Sequence, residues 1–313
     1  MGTERQKVRF TSAGTECAAW YYPGTTGACV VMAGGFAVTK EPATDQFARR
    51  FSAAGLAVLA FDYRHLGESG GQPRQVAAVG GQLADWRAAL GFAASQPGID
   101  PGRLAIWGFS ASGGHVFRVA AGAPRLAAAI AQTPNADGLA AARNAARFAP
   151  PLALARLTGR GLLDAAGALA GRAPRLVPLA GQPGDVAVVT GPDAAGTGPA
   201  LNPGGRYPDW QQAVAARSVL RLSWYRPGRA APRVRCPLLV VACDQDQAAP
   251  PGPALRAAGR APRGEAARLP GGHYAPFLAQ HEQAVAAELA FLTRHLLEPA
   301  PAVEPAAADA ARR

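Results

Sequence analysis

The chain has 313 residues, of which 49% are hydrophobic and 17% charged, with 37 Gly and 28 Pro. This excludes a disordered or fibrous protein and leaves room for one large α/β domain with an insertion, or for two domains. The formal charge of +11 does not point to a nucleic-acid partner: only Lys7 and Lys40 are lysines, and the densest arginine clusters, Arg226 to Arg235 and Arg256 to Arg268, lack interleaved aromatics.

In chain order, Val8 to Thr11 and Cys17 to Tyr22 predict an initial hairpin-like pair of strands. An apolar strand at Ala28 to Met32 precedes a helix near Asp45 to Ala54 and a strand at Ala57 to Phe61. A helix near Gln82 to Ser95 leads to a strand at Arg103 to Trp107, a Gly-rich turn, a helix over His115 to Ala121 and a strand near Ala127 to Ala131. Strands alternating with helices predict a mainly parallel sheet covered on both faces. From Asn135 to Ala231 the rhythm is lost, and the stretch is expected to be an inserted cap interrupting a core of residues 1–134 and 232–298. Strands return at Cys236 to Cys243 and Ala266 to Leu269. Val285, Leu289, Leu292 and Leu296 then share one face of a closing helix, and the Pro/Ala-rich tail over 299–313 is expected to be disordered.

No apolar run reaches the length of a membrane span, and the first residues lack the apolar stretch of a signal peptide, so a cytoplasmic protein without membrane contact is expected. Cys17, Cys29, Cys236 and Cys243 lack a CxxC spacing and sit in predicted strands, which favours free buried thiols over a disulfide.

The chemistry concentrates at Gly108-Phe109-Ser110-Ala111-Ser112-Gly113-Gly114. A serine hydroxyl becomes a nucleophile when a base takes its proton and a tight strand-to-helix turn holds it exposed, and such a turn needs small neighbours. The preceding strand and following helix favour Ser110. Ser112 competes, but its place inside the turn suits a supporting role. An acid and then a base must follow, each in a loop after a later strand. Asp244 and Asp246 both follow the strand ending at Cys243, with Asp246 favoured, and His273 lies in the Gly-rich loop before the closing helix. No other histidine has carboxylates at metal-ligand spacing, so neither a metal nor another cofactor is expected. Trp210, Trp224 and Tyr225 are candidate substrate-lining aromatics of the cap, with cap-to-core packing as the alternative for each.

These motifs resemble those of the α/β-hydrolases, specifically capped bacterial esterases and dienelactone-hydrolase-like or peptidase-like members with a G-x-S-x-S-G-G elbow. Asp62-Tyr63-Arg64-His65-Leu66-Gly67-Glu68-Ser69 is similar to that family's Asp-x-Arg-Gly-x-Gly-x-Ser loop. The resemblance implies an α/β-hydrolase fold, backbone N–H groups of Phe36 and Ala111 as oxyanion donors, and a small-molecule acyl substrate. Two departures stand out. Gly34 replaces the histidine that often opens the oxyanion loop, and Ala275 and Pro276 stand where relatives often carry an aspartate. The expected function is hydrolysis of a carboxylic ester or thioester through an acyl-enzyme on Ser110. The alternatives are acyl transfer or cyclisation on the same serine, or a non-hydrolytic ligand-binding descendant. The oligomeric state is left open.

Overall fold

The apolar runs read as strands pair into one eight-stranded sheet. The computed structural model describes residues 4–298, so the disordered tail expected over 299–313 lies outside the described residues. In chain order the strands are β1 (Gln6–Ser12), β2 (Thr15–Tyr22), β3 (Cys29–Ala33), β4 (Ala57–Phe61), β5 (Leu104–Phe109), β6 (Ala128–Gln132), β9 (Leu238–Cys243) and β10 (Gly264–Leu269). Their order across the sheet is β1-β2-β4-β3-β5-β6-β9-β10, with β1 and β2 antiparallel to their neighbours and the rest parallel. Strands β3, β4, β5, β6 and β9 are buried at every residue. A strand covered on both faces has no solvent side to alternate with, which is why these segments read as continuous apolar runs.

The covering helices are α1 (Lys40–Ala53), α2 (Val79–Ala94), α3 (Ala111–Gly122), α8 (Pro251–Arg260) and α9 (His281–Leu292). Helix α1 starts earlier than hydrophobic spacing predicts because its first turn is capped from outside the helix. Asp62 Oδ1 accepts the Lys40 N–H at 2.7 Å, and Asp62 Oδ2 accepts from Lys40 Nζ at 2.9 Å and from Glu68 N at 3.0 Å. The Asp62 to Ser69 loop is thus a structural brace, closed by Ser69 Oγ donating to the Asp62 carbonyl at 2.7 Å. Helix α3 likewise begins at Ala111 rather than His115, taking in the small residues of the predicted turn.

Between β6 and β9, which are neighbours in the sheet, the chain leaves to form α4 (Gly138–Ala145), α5 (Pro151–Leu169), β7 (Leu176–Pro178), α6 (Thr197–Leu201), β8 (Ala213–Ala215) and α7 (Ala216–Ser223). Strands β7 and β8 pair as a small antiparallel ribbon. A buried carboxylate organises this segment: Asp164 on α5 accepts from Arg217 Nη1 at 3.1 Å, Arg217 N at 3.0 Å and Arg175 N at 2.8 Å. Removing one partner of such a buried pair costs about 3–5 kcal/mol.

The four cysteines are buried free thiols. No helix among the described residues is long and apolar enough to cross a membrane.

Candidate active site

The loops that follow β3, β5, β9 and β10 all leave from the carboxyl ends of parallel strands, the edge where open α/β sheets hold their ligands. Strand β5 ends at Phe109 and α3 begins at Ala111, leaving Ser110 alone at the junction with φ 56° and ψ −114°. A serine held there is strained, and its neighbours fix it. Ser110 N donates to the Gln132 carbonyl at 2.9 Å, and the Ser110 carbonyl accepts from Gly114 N and Asn135 N, each at 2.9 Å. The turn also requires glycine two residues earlier, since a Cβ at Gly108 would lie 2.5 Å from the Ser112 carbonyl oxygen.

The side chains of Ser110, His273 and Asp246 form one line. His273 Nε2 lies 2.9 Å from Ser110 Oγ, and His273 Nδ1 lies 2.7 Å from Asp246 Oδ2. Asp246 Oδ1 accepts the Ala249 N–H at 2.6 Å, which turns the carboxylate toward the imidazole. Asp244 points elsewhere: its Oδ1 pairs with Arg268 Nε at 2.8 Å on the surface. Ser112 faces the neighbouring loop. Its hydroxyl donates to the Gly34 carbonyl and accepts from the Tyr63 hydroxyl at 2.5 Å, which in turn accepts from Trp86 Nε1 at 2.8 Å. The second serine of the elbow therefore ties α3 to the loop after β3.

Burial works against a charged His273, but the charge and hydrogen bond of Asp246 and the charge of Asp193 outweigh it, so the imidazole pKa is raised. Burial pushes the Asp246 carboxyl up, opposed by its contact with His273. His115, the histidine nearest the elbow in sequence, is different. Burial takes it down to about 3, and its ring nitrogens bond the Tyr225 hydroxyl at 2.9 Å and Gln82 Oε1 at 3.0 Å, as a neutral structural group. Among the described residues no group of three or more His, Cys, Asp or Glu side chains has an arrangement that could hold a metal ion.

Ser110 and His273 open into a cavity of about 380 Å³. Phe36 and Ala111 line it beside Ser110. As the first residue of α3, Ala111 has an N–H with no partner inside the helix, which leaves it free to meet an oxyanion. Most of the rest of the wall is apolar and comes largely from the segment between β6 and β9, including Ala142, Ala145, Leu154, Leu157, Val188 and Leu220, with Thr158, Asp185, Thr190, Thr197 and Ser223 among its polar members.

The three aromatic residues expected to line this space do not. Trp210 is buried, but its Nε1 donates to the Ala37 carbonyl at 3.0 Å, so it pins the inserted segment to the loop after β3. Tyr225 spends its hydroxyl on His115, and Trp224 is 77% exposed on the outer surface. Apart from His273, the rings of the wall are those of Phe36, Phe109 and Tyr274, all outside the segment between β6 and β9, which itself contributes mainly alanine, leucine and valine. Size was therefore the wrong criterion. The available signal was the spacing of Ala141, Ala142 and Ala145 along α4, which places small side chains on one helical face.

Over residues 30–288 the sequence matches the alpha/beta hydrolase family. The chain belongs to that family and is an enzyme with hydrolase activity. It is 39% identical over 292 residues to the quorum-quenching protein AidA of Acinetobacter baumannii (strain MDR-ZJ06), which spans 92% of this chain and 94% of that protein. The thiohydrolase aneE of Aspergillus aculeatus (strain ATCC 16872 / CBS 172.66 / WB 5094) is 42% identical over 93 residues, 30% of this chain and 29% of that protein. Among solved structures, the alpha/beta hydrolase GrgF from Penicillium sp. sh18 superposes with a TM-score of 0.77 at 24% identity, covering 94% of this chain and all of that one, a likeness of fold.

Proposed function

We propose that the protein is a serine hydrolase that cleaves a small-molecule carboxylic ester or thioester through an acyl-enzyme on Ser110. The observation that carries this reading is the Ser110–His273–Asp246 line, with contacts of 2.9 Å and 2.7 Å, at the floor of an apolar cavity. In this reading His273 Nε2 takes the Ser110 proton as Oγ bonds to the acyl carbon, and Asp246 stabilises the imidazolium that forms. The carbonyl oxygen becomes an oxyanion facing the N–H groups of Phe36 and Ala111. The tetrahedral species collapses, and the imidazolium gives its proton to the departing alkoxide or thiolate. Water then attacks the acyl-enzyme with His273 as base, and the carboxylic acid leaves with Ser110 restored.

The segment over 135–231 acts in this reading as a cap whose inner wall receives the acyl group. The name of one relative, a thiohydrolase matched over 30% of this chain, supports including thioesters in the substrate class.

The test is fluorophosphonate labelling together with a panel of acyl esters and thioesters, run on wild type and Ser110→Ala. Rapid labelling of the wild type alone, with turnover lost in the variant, supports the reading. Turnover retained by Ser110→Ala refutes it. Product analysis separates hydrolysis, which releases a free acid, from acyl transfer or cyclisation, which releases a new ester, amide or lactone.

A further inference from the structure

Asp193 belongs to none of the groups above, yet its carboxylate touches both loops that carry them. It lies in the short 3-10 helix Pro192–Gly196 between β7 and α6. Oδ1 accepts the backbone N–H of His273 at 3.1 Å, and Oδ2 accepts those of Gln247 at 2.7 Å and Ala248 at 2.9 Å. Gln247 and Ala248 directly follow Asp246 in the chain. One side chain from the inserted segment therefore joins the acid's loop to the base's loop. On the outer side the same two loops are linked by Gln245, whose N donates to the Gly271 carbonyl at 3.0 Å and whose Oε1 accepts from Gly271 N at 2.9 Å.

A second observation shows that room is kept for this contact. A Cβ at Gly272 would clash with Asp193 Oδ1, so the glycine beside His273 leaves the space that the carboxylate fills. Charge-assisted bonds from three backbone amides to one carboxylate are short and directional, and they set loop position more firmly than neutral contacts.

We propose that Asp193 is a positioning residue: from the inserted segment it fixes Asp246 and His273 in register with each other and with Ser110. The proposal rests on the serine-hydrolase reading. Asp193 acts through His273 and touches no substrate atom. It also adds negative charge near the imidazole. The charged groups facing His273 are Asp246, from the loop after β9, and Asp193, while the neighbouring Tyr274 phenol and the Cys243 thiol, next to Asp246, are each pushed up to about 12 by burial and stay neutral.

The experiment compares wild type, Asp193→Asn, Asp193→Ala and Gly272→Ala in fluorophosphonate labelling rate, kcat, KM and pH profile. Displacing a reacting group by about 1 Å costs on the order of 10²-fold in rate. Both Asp193 variants are expected to lose kcat on that scale with KM nearly unchanged, and to move the ionisation in kcat/KM to lower pH. Asn keeps the volume of Asp but offers a single acceptor oxygen, so it separates lost packing from lost bonding. Gly272→Ala is expected to lower kcat in the wild-type background and to add little in Asp193→Ala, where its clash partner is gone. Wild-type kcat and an unmoved ionisation in both Asp193 variants overturn the proposal, even if thermal stability falls. Failure of wild-type Ser110 to label overturns instead the serine reading beneath it.

Discussion

His273 Nδ1 stands 2.7 Å from Asp246 Oδ2, while Asp244, nearer the end of β9, gives its carboxylate to Arg268 at the surface. The two aspartates share a loop and differ in what they face. In Asp246→Asn the amide can offer an N–H to the imidazole and hold it in the unproductive tautomer, with an expected loss in kcat on the order of 10⁴-fold. Asp244→Asn breaks an exposed ion pair and is expected to change kcat less than about twofold and stability by at most about 0.5 kcal/mol. Steady-state kinetics of the two variants checks this, and a larger loss from Asp244→Asn sinks the assignment.

The pH profile follows from the raised pKa of His273. Burial lowers it, and Asp246 and Asp193 raise it by more, so the imidazolium persists above the ordinary value of 6.5. His273 must be neutral to take the Ser110 proton. Activity is therefore lost as pH falls through the raised pKa and recovered above it. A plot of kcat/KM against pH is expected to rise through one ionisation with its midpoint above 6.5, and Asp246→Asn is expected to move that midpoint down. A wild-type midpoint below that value contradicts the geometry.

The sheet was legible because β3, β5 and β9 are buried on both faces and their sequences carry no polar interruption. That Ser110, Asp246 and His273 come together was legible because strand-end position and chain order constrain them, and Ser112 bonds away from that line, to Gly34 and Tyr63. The lining of the cavity was not. Helix α5 buries Ala153, Gly161 and Asp164 while leaving Leu152, Leu162, Leu163 and Leu169 exposed, so hydrophobicity does not mark its inner face. Asp193 was invisible for another reason. It sits in a Gly/Pro-rich stretch, and its partners His273 and Gln247 are far away in the chain, so no local pattern connects them.

The alanines of α4 give the cavity its width. Ala142 lines the wall, and a ring at that position would occupy space now open to an acyl chain. Each methylene that can no longer be buried forfeits about 0.8 kcal/mol, roughly fourfold in kcat/KM. Ala142→Phe is therefore expected to lower kcat/KM progressively for esters of longer acyl chains while acetyl esters are turned over nearly as before. A chain-length series on p-nitrophenyl esters measures this. An unchanged ratio of long-chain to short-chain activity in the folded variant would show that acyl chains do not pass Ala142.

Glu288 on α9 offers a test of the core that is independent of catalysis. Its side chain is buried against β5, where Oε2 accepts from Trp107 Nε1 at 3.1 Å and Oε1 has no hydrogen-bond partner among the described residues. Burial raises the carboxyl well above its ordinary value, outweighing the Trp107 bond, so the folded protein keeps this group protonated where the unfolded chain ionises it. The folded state then binds the extra proton, and stability falls as pH rises from the unfolded pKa toward the folded one. Glu288→Gln keeps the shape and the acceptor for Trp107 but cannot titrate. Its unfolding free energy relative to wild type is expected to grow with pH, by up to about 1.4 kcal/mol per pH unit in that window. Urea unfolding of both proteins from about pH 5 to 8 resolves such a slope, because a single ionisation acts on an otherwise matched pair. Parallel stability curves across that range would mean that Glu288 ionises inside the fold.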